Sequence, residues 1–139
     1  MKSKIEEAVE RKQTGKYNCA QAVACSFCER TDLNEETMRH VTLGLGAGIG
    51  GMEGTCGALT GAAVVIGFAC KEDKPKAMRM SRSLMNKFQQ RNGATQCKLL
   101  KGVDTGVVIR SCDDCVADAA EFLEEVLKEG NLYVSLTTG

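Results

Sequence analysis

Residues 56–70 read CGALTGAAVVIGFAC, and this stretch decides the fold. From Ala58 to Cys70 it is mainly apolar, yet it falls short of the about 20 residues that a helix needs to cross a bilayer. No apolar–polar alternation marks it as a half-exposed strand. It is expected to be a central, buried helix. Its small residues Gly57, Ala58, Gly61 and Ala62 would let another backbone approach closely.

The flanking sequence supplies helices on both sides. Upstream lies GLGAGIGGMEGTCG at 44–57, too rich in Gly to hold a helix and expected to be an ordered, ligand-clasping loop. Before it, Ser3 and Glu6 form a capping-box pattern ahead of Ile5, Ala8 and Val9, which predicts a helix over 4–14 that stops at Gly15. Asn18 is a good cap for the densely apolar CAQAVACSFCER, expected to be helical to near Thr31. Residues 32–34 open NEETMRHVTL, with acidic residues in the first turn and an end near Leu43. Downstream, Lys74 and Pro75 restart a helix with Ala77, Met80, Leu84 and Phe88 on one face, ending before Gly93. TQCKLLKG is a short turn that could start at Thr95, and DTGVVIR is a loop with a brief β-like run. The last helix begins around 111–114 and is expected to bury Val116, Ala119, Ala120, Leu123 and Leu127. The expected fold is all-α: one domain over 1–139, a compact bundle of five to six helices with the Gly-rich loop before the central apolar helix.

Composition narrows the partners. Eighteen basic and eighteen acidic residues leave a formal net charge of +0, so no global field attracts nucleic acid or an anionic membrane. Aromatics are 4% with no Trp, which leaves no platform for stacking bases. The segments 71–91 and 113–129 are respectively basic and acidic, expected to be solvated faces of helices that are neighbours in the bundle. A docking patch for a charged redox partner is the alternative. The start, MKSKIEEAVERK, has no apolar core or small-residue cleavage site of an export signal, so a cytoplasmic location is expected.

The chain has eight cysteines, below the roughly 8–10% that by itself marks a disulfide scaffold. In a reducing compartment, clustered cysteines serve as metal ligands, redox centres or small core residues. Five of them, Cys19, Cys56, Cys97, Cys112 and Cys115, fall at expected helix starts. There the unpaired N–H groups and the positive dipole end stabilise a thiolate. Cys25, Cys28 and Cys70 are expected inside helices as packing residues. Cys112–Cys115 is a C-x-x-C at a turn entering a helix, suited to chelation or a small disulfide ring. Cys25–Cys28 has the same spacing but lies well inside its expected helix. Gly46-x-Gly48-x-x-Gly51 matches a dinucleotide fingerprint by letter but lacks the preceding strand, so nucleotide binding is not expected. The glycines are expected instead to aim N–H groups of Gly50, Gly51 and Gly54 at the Cys56 sulfur. Cys56 should then have the lowest thiol pKa, above all below that of Cys115, which has Asp113 and Asp114 beside it. His40 is expected on the surface.

At Cys19, at Cys56-Gly57-Ala58-Leu59-Thr60-Gly61, and at Cys97 and Cys115, the chain resembles the C_GCAxxG_C_C family of redox-active proteins. YNCAQAV at 17–23, TCGALTG, QCKLL and CVADAAEFLEEVL at 115–127 carry the likeness along nearly the whole chain. The resemblance implies a small helical redox protein. A similar cysteine-bearing domain accompanies the haem-binding part of split-Soret cytochromes, where it is associated with an iron–sulfur centre. Covalent haem is not expected here, because no C-x-x-C-H is present. The resemblance makes Cys19, Cys56, Cys97 and Cys115 the candidates for cluster ligands or exchanging thiols.

Three functions follow. In the first, the helix-terminal thiolates hold an iron–sulfur cluster or cycle between dithiol and disulfide in electron transfer, which if catalytic would be a thiol–disulfide or electron-transfer oxidoreductase. In that case Cys56 and Cys115 are the catalytic pair, with Gly57 and Gly61 beside the cofactor. In the second, four thiolates form a structural zinc site, with Cys112 as a further candidate metal ligand. The third is an interaction module whose cysteines only pack. The redox partner protein is not identified by the sequence, and monomer and homodimer are both open.

Overall fold

The computed structural model describes residues 2–138, with side chains through Gly130. Among these residues seven α-helices form the fold: α1 (Lys4–Gln13), α2 (Cys19–Cys25), α3 (Glu35–Thr42), α4 (Gly57–Cys70), α5 (Lys74–Asn92), α6 (Cys97–Lys101) and α7 (Cys112–Thr138). Short 3-10 turns lie at Cys28–Arg30 and Leu43–Leu45. Gly46–Ile49 closes helix-like hydrogen bonds, but Ala47 and Gly48 have positive φ there, so it is a coiled part of the Gly-rich loop. Among the described residues there is no β-strand, only an isolated antiparallel bridge between Thr55 and Gln96. The fold is all-α, as expected.

The caps act where the sequence places them. Ser3 accepts from the Glu6 N–H, and Asn18 and Gln21 form a reciprocal capping box at α2. Asp73 caps α5 with Pro75 in its first turn, and Gly93 closes that helix in the left-handed conformation. The apolar α4 is central, packing on α2, α5 and α7. Its residues Ala58, Leu59, Ala62, Val65 and Ile66 are buried, and Phe27, Phe88, Leu84, Leu123 and Leu127 complete the core.

Gly61 is where α2 and α4 come closest. A Cβ there would stand 2.8 Å from Ala20 Cα and nearer still to its carbonyl oxygen. Gly61→Val is therefore expected to destabilise by at least about 2 kcal/mol, because backbone rather than a flexible side chain must give way. Gly67, on the exposed side of the same helix, has nothing within 4 Å of a Cβ. Gly67→Ala is expected to stabilise by about 0.5–1 kcal/mol through helix propensity. Urea denaturation of both variants checks the pair; a harmless valine at 61 would refute the close packing.

The two charged segments are neighbours. Lys87 pairs with Glu125 and Glu129, and Arg91 with Asp118 and Glu121, so α5 and α7 face each other with opposite charge. Two expectations need correction. The helix over 19–30 ends at Cys25, and residues 104–110 form turns with Val107, Val108 and Ile109 exposed rather than a β-like run. Cys25, Cys28 and Cys70 consequently lie at helix ends and not inside helices: Cys25 and Cys70 are the last residues of α2 and α4, and Cys28 begins a 3-10 turn.

Candidate functional site

The five helix-start cysteines converge. Cys19 is the first residue of α2, held by the Asn18 cap, whose amide also donates to the Leu43 carbonyl at 2.9 Å. Cys56 is the N-cap of α4 and Cys97 the first residue of α6. Backbone hydrogen bonds zip these two together: the Cys56 N–H donates to Thr95 O (2.8 Å), Cys97 N–H to Gly54 O (3.0 Å) and Lys98 N–H to Met52 O (2.8 Å). Cys112 and Cys115 occupy the first turn of α7, where the Ser111 hydroxyl caps the Asp114 N–H.

Cys19, Cys56, Cys97 and Cys112 line one cavity of about 240 Å3, together with Lys12, Asn18, Ala47, Met52, Gly57 and Lys101. Cys115 is fully buried and reaches Lys101, whose Nζ lies 3.6 Å from its Sγ. All eight cysteines are free thiols. The Gly-rich loop forms a wall of the cavity in a strained conformation. Ala47, Ile49 and Met52 all have positive φ, a region that non-Gly residues occupy at a cost of about 1–2 kcal/mol each. Gly48 is required there: its Cβ would lie 2.8 Å from that of Cys97.

The thiols interact in pairs. Cys19 acts on Cys112 and Cys56 on Cys115, each shifting the other's acidity. The neighbouring Cys19 thiol, followed by Lys101 and Lys12, outweighs burial and holds Cys112 down at about 5. Cys115 is likewise lowered, by Cys56 and then Lys101. Cys19 and Cys56 are raised, by their partner thiols and then by burial. Cys97 is raised by burial and by the neighbouring Cys56. Burial alone would lower Lys101, but the facing sulfurs of Cys115 and Cys112 outweigh it and keep the ammonium charged.

This order reverses the expectation for Cys56. The loop N–H groups do not serve its sulfur: Gly50 N–H is spent on Gly46 O and Gly54 N–H on Gly48 O. The helix-start effect survives only as the Ala58 N–H, which the buried pairing with Cys115 overrides. Asp114, expected to hinder Cys115, is drawn to Arg110 at 3.8 Å. Gly57 lines the cavity, whereas Gly61 belongs to the α2–α4 contact and not to the site. Cys112, which the family resemblance leaves outside its four cysteines, lines the cavity. Lys101 and Lys12 belong to none of the sequence motifs; the spacing of Cys97 and Lys101, four apart on a helix and hence on one face, is the local signal for the former. His40 is exposed. Among the described residues, no three or more His, Cys, Asp and Glu side chains are grouped as a site for a metal ion. Nor is any helix among them long and apolar enough to cross a membrane.

Fold and site together define a small helical protein with a thiol-lined cavity fed from four helices. Residues 17–126 match the family described as "Putative redox-active protein (C_GCAxxG_C_C)", and the chain belongs to that family. No curated protein and no solved structure matches it.

Proposed function

We propose that the protein is a thiol–disulfide redox protein in which Cys19/Cys112 and Cys56/Cys115 are two dithiol couples. The observation that carries this is the convergence of thiols from four helices on one cavity that Lys101 also lines, with its ammonium 3.6 Å from the Cys115 sulfur. Cys112 and Cys115 are lowered there while Cys19 and Cys56 are raised, the asymmetry an exchanging couple needs. Cys112 is half-buried while its partner Cys19 is buried, so Cys112 is the attacking sulfur of the accessible couple. Its thiolate attacks a substrate disulfide, forming a mixed disulfide and expelling one substrate thiolate. Cys19 then gives up its proton and attacks the Cys112 sulfur, releasing the second thiolate and leaving a Cys19–Cys112 disulfide. Two electrons pass to the substrate, and a dithiol partner must return them.

A second function uses the same cavity. Cys19, Cys56, Cys97 and Cys112 or Cys115 face one largely apolar space with two lysines to offset thiolate charge, but they would have to draw closer together to hold an iron–sulfur cluster, since no three of them are grouped for a metal ion as they stand. Such a cluster supplies one-electron transfer.

One preparation separates the two. Protein purified without oxygen is expected to be colourless and, on equilibration with glutathione disulfide, to yield tryptic peptide 17–30 cross-linked to 111–128. Visible bands with stoichiometric iron and labile sulfide would replace the exchange function by the cluster. Zinc in their place would return the structural site.

A further inference from the structure

We infer that Cys25 and Cys28 form a third dithiol, a modification site outside the cavity that a low-molecular-weight disulfide oxidises to an intramolecular bond. The geometry of the turn carries this. Residues 25–28 leave α2 through Ser26 (φ −71, ψ −13) and Phe27 (φ −117, ψ 21), close to a type I β-turn. The first and fourth Cα atoms of such a turn lie under about 7 Å apart, within reach of the roughly 4.4–6.8 Å that a disulfide spans.

The turn is firmly held. Ser26 Oγ donates to Ala22 O (2.8 Å) and accepts from Arg11 Nη1 (3.0 Å), and Phe27 is buried. Cys25 is buried with its sulfur 4.0 Å from Glu35 O, whereas Cys28 is half-buried and so the accessible member. The Cys28 thiolate attacks the small disulfide, releasing one thiolate and forming a mixed disulfide. Cys25 loses its proton and displaces the second thiolate from the Cys28 sulfur. The pair is oxidised by two electrons and the small disulfide is reduced to two thiols. Burial and Glu35 disfavour both thiolates, so closure is slower than at Cys112.

The pair sits at the opposite end of α2 from Cys19 and does not depend on the cavity couples. The test uses the full chain carrying Cys19→Ser, which removes the cavity couple on that peptide. After equilibration with glutathione disulfide and alkylation, trypsin releases residues 17–30. The expected peptide is two hydrogens lighter and unalkylated, and it regains two alkyl groups when the protein is first reduced. Adding Cys28→Ser should abolish the mass loss. Full alkylation of both thiols while Cys56 and Cys115 have become protected, or a cross-link of Cys25 or Cys28 to another peptide, would overturn the assignment.

Discussion

Lys101→Met is expected to lower the thiolate-to-thiol ratio of Cys112 by at least about tenfold between pH 5 and 7, since a cation a few ångströms from a thiol moves its pKa by about 1–3. In the native protein Cys112 is held at about 5. The variant keeps Cys19 but loses the ammonium that lies 3.6 Å from the Cys115 sulfur and lines the cavity with Cys112. Lys101→Arg retains the charge and should retain most of the effect. The check is the pH dependence of alkylation at each cysteine of the reduced, metal-free protein, read by peptide mass spectrometry. An unchanged Cys112 midpoint in the methionine variant would remove Lys101 from the site. Faster labelling of Cys56 than of Cys112 near pH 6 would restore the helix-start expectation.

Asp118→Ala is expected to cost about 2–3 kcal/mol. Asp118 is only 3% exposed. Its carboxylate accepts from Arg110 Nε and Nη2 (2.9 and 3.0 Å), Arg91 Nη1 (3.0 Å) and Asn92 Nδ2 (3.1 Å). Removing it strands those donors at the junction of α5, α7 and the loop before Cys112. The lower end of the buried-pair range applies because Arg91 and Arg110 keep over a third of their side chains in water.

Burial alone would raise the Asp118 carboxyl, but Arg110, Asn92 and Arg91 outweigh it and the group is lowered. Its folded pKa lies below the unfolded value near 3.9, so its stabilisation is complete above that pH and is lost as the pH falls toward the folded value. Urea midpoints at pH 7 and pH 3 should therefore differ less in the alanine variant than in the native chain. The change should also reach the site. Arg110 O accepts from Lys101 Nζ at 3.2 Å, so loosening Arg110 is expected to raise the pH at which Cys112 ionises.

Much of the fold was legible because its signals are local. Ser3, Asn18, Pro75 and Gly93 bound helices through local effects, and the apolar spacing of α5 and α7 names the buried face directly. The helix-start positions of five cysteines are local signals of the same kind. The early end of α2 was less visible. CAQAVACSFCER has helical composition throughout, but the packing of Phe27 and the Arg11–Ser26 bond turn the chain after Cys25.

By itself the sequence determined an all-α chain with thiols at helix starts, since capping and periodicity depend on residues three or four apart. Only the tertiary structure decided which thiols meet. Cys19 and Cys112 are ninety-three positions apart, and their pairing depends on how α2 and α7 enter the cavity, which no local pattern encodes. The acidity of Cys112 has the same origin. Its nearest charges in the chain are carboxylates, but the charge that does most to lower it is that of Lys101, brought to the same cavity by the fold, and a field that falls with distance responds to space and not to sequence order.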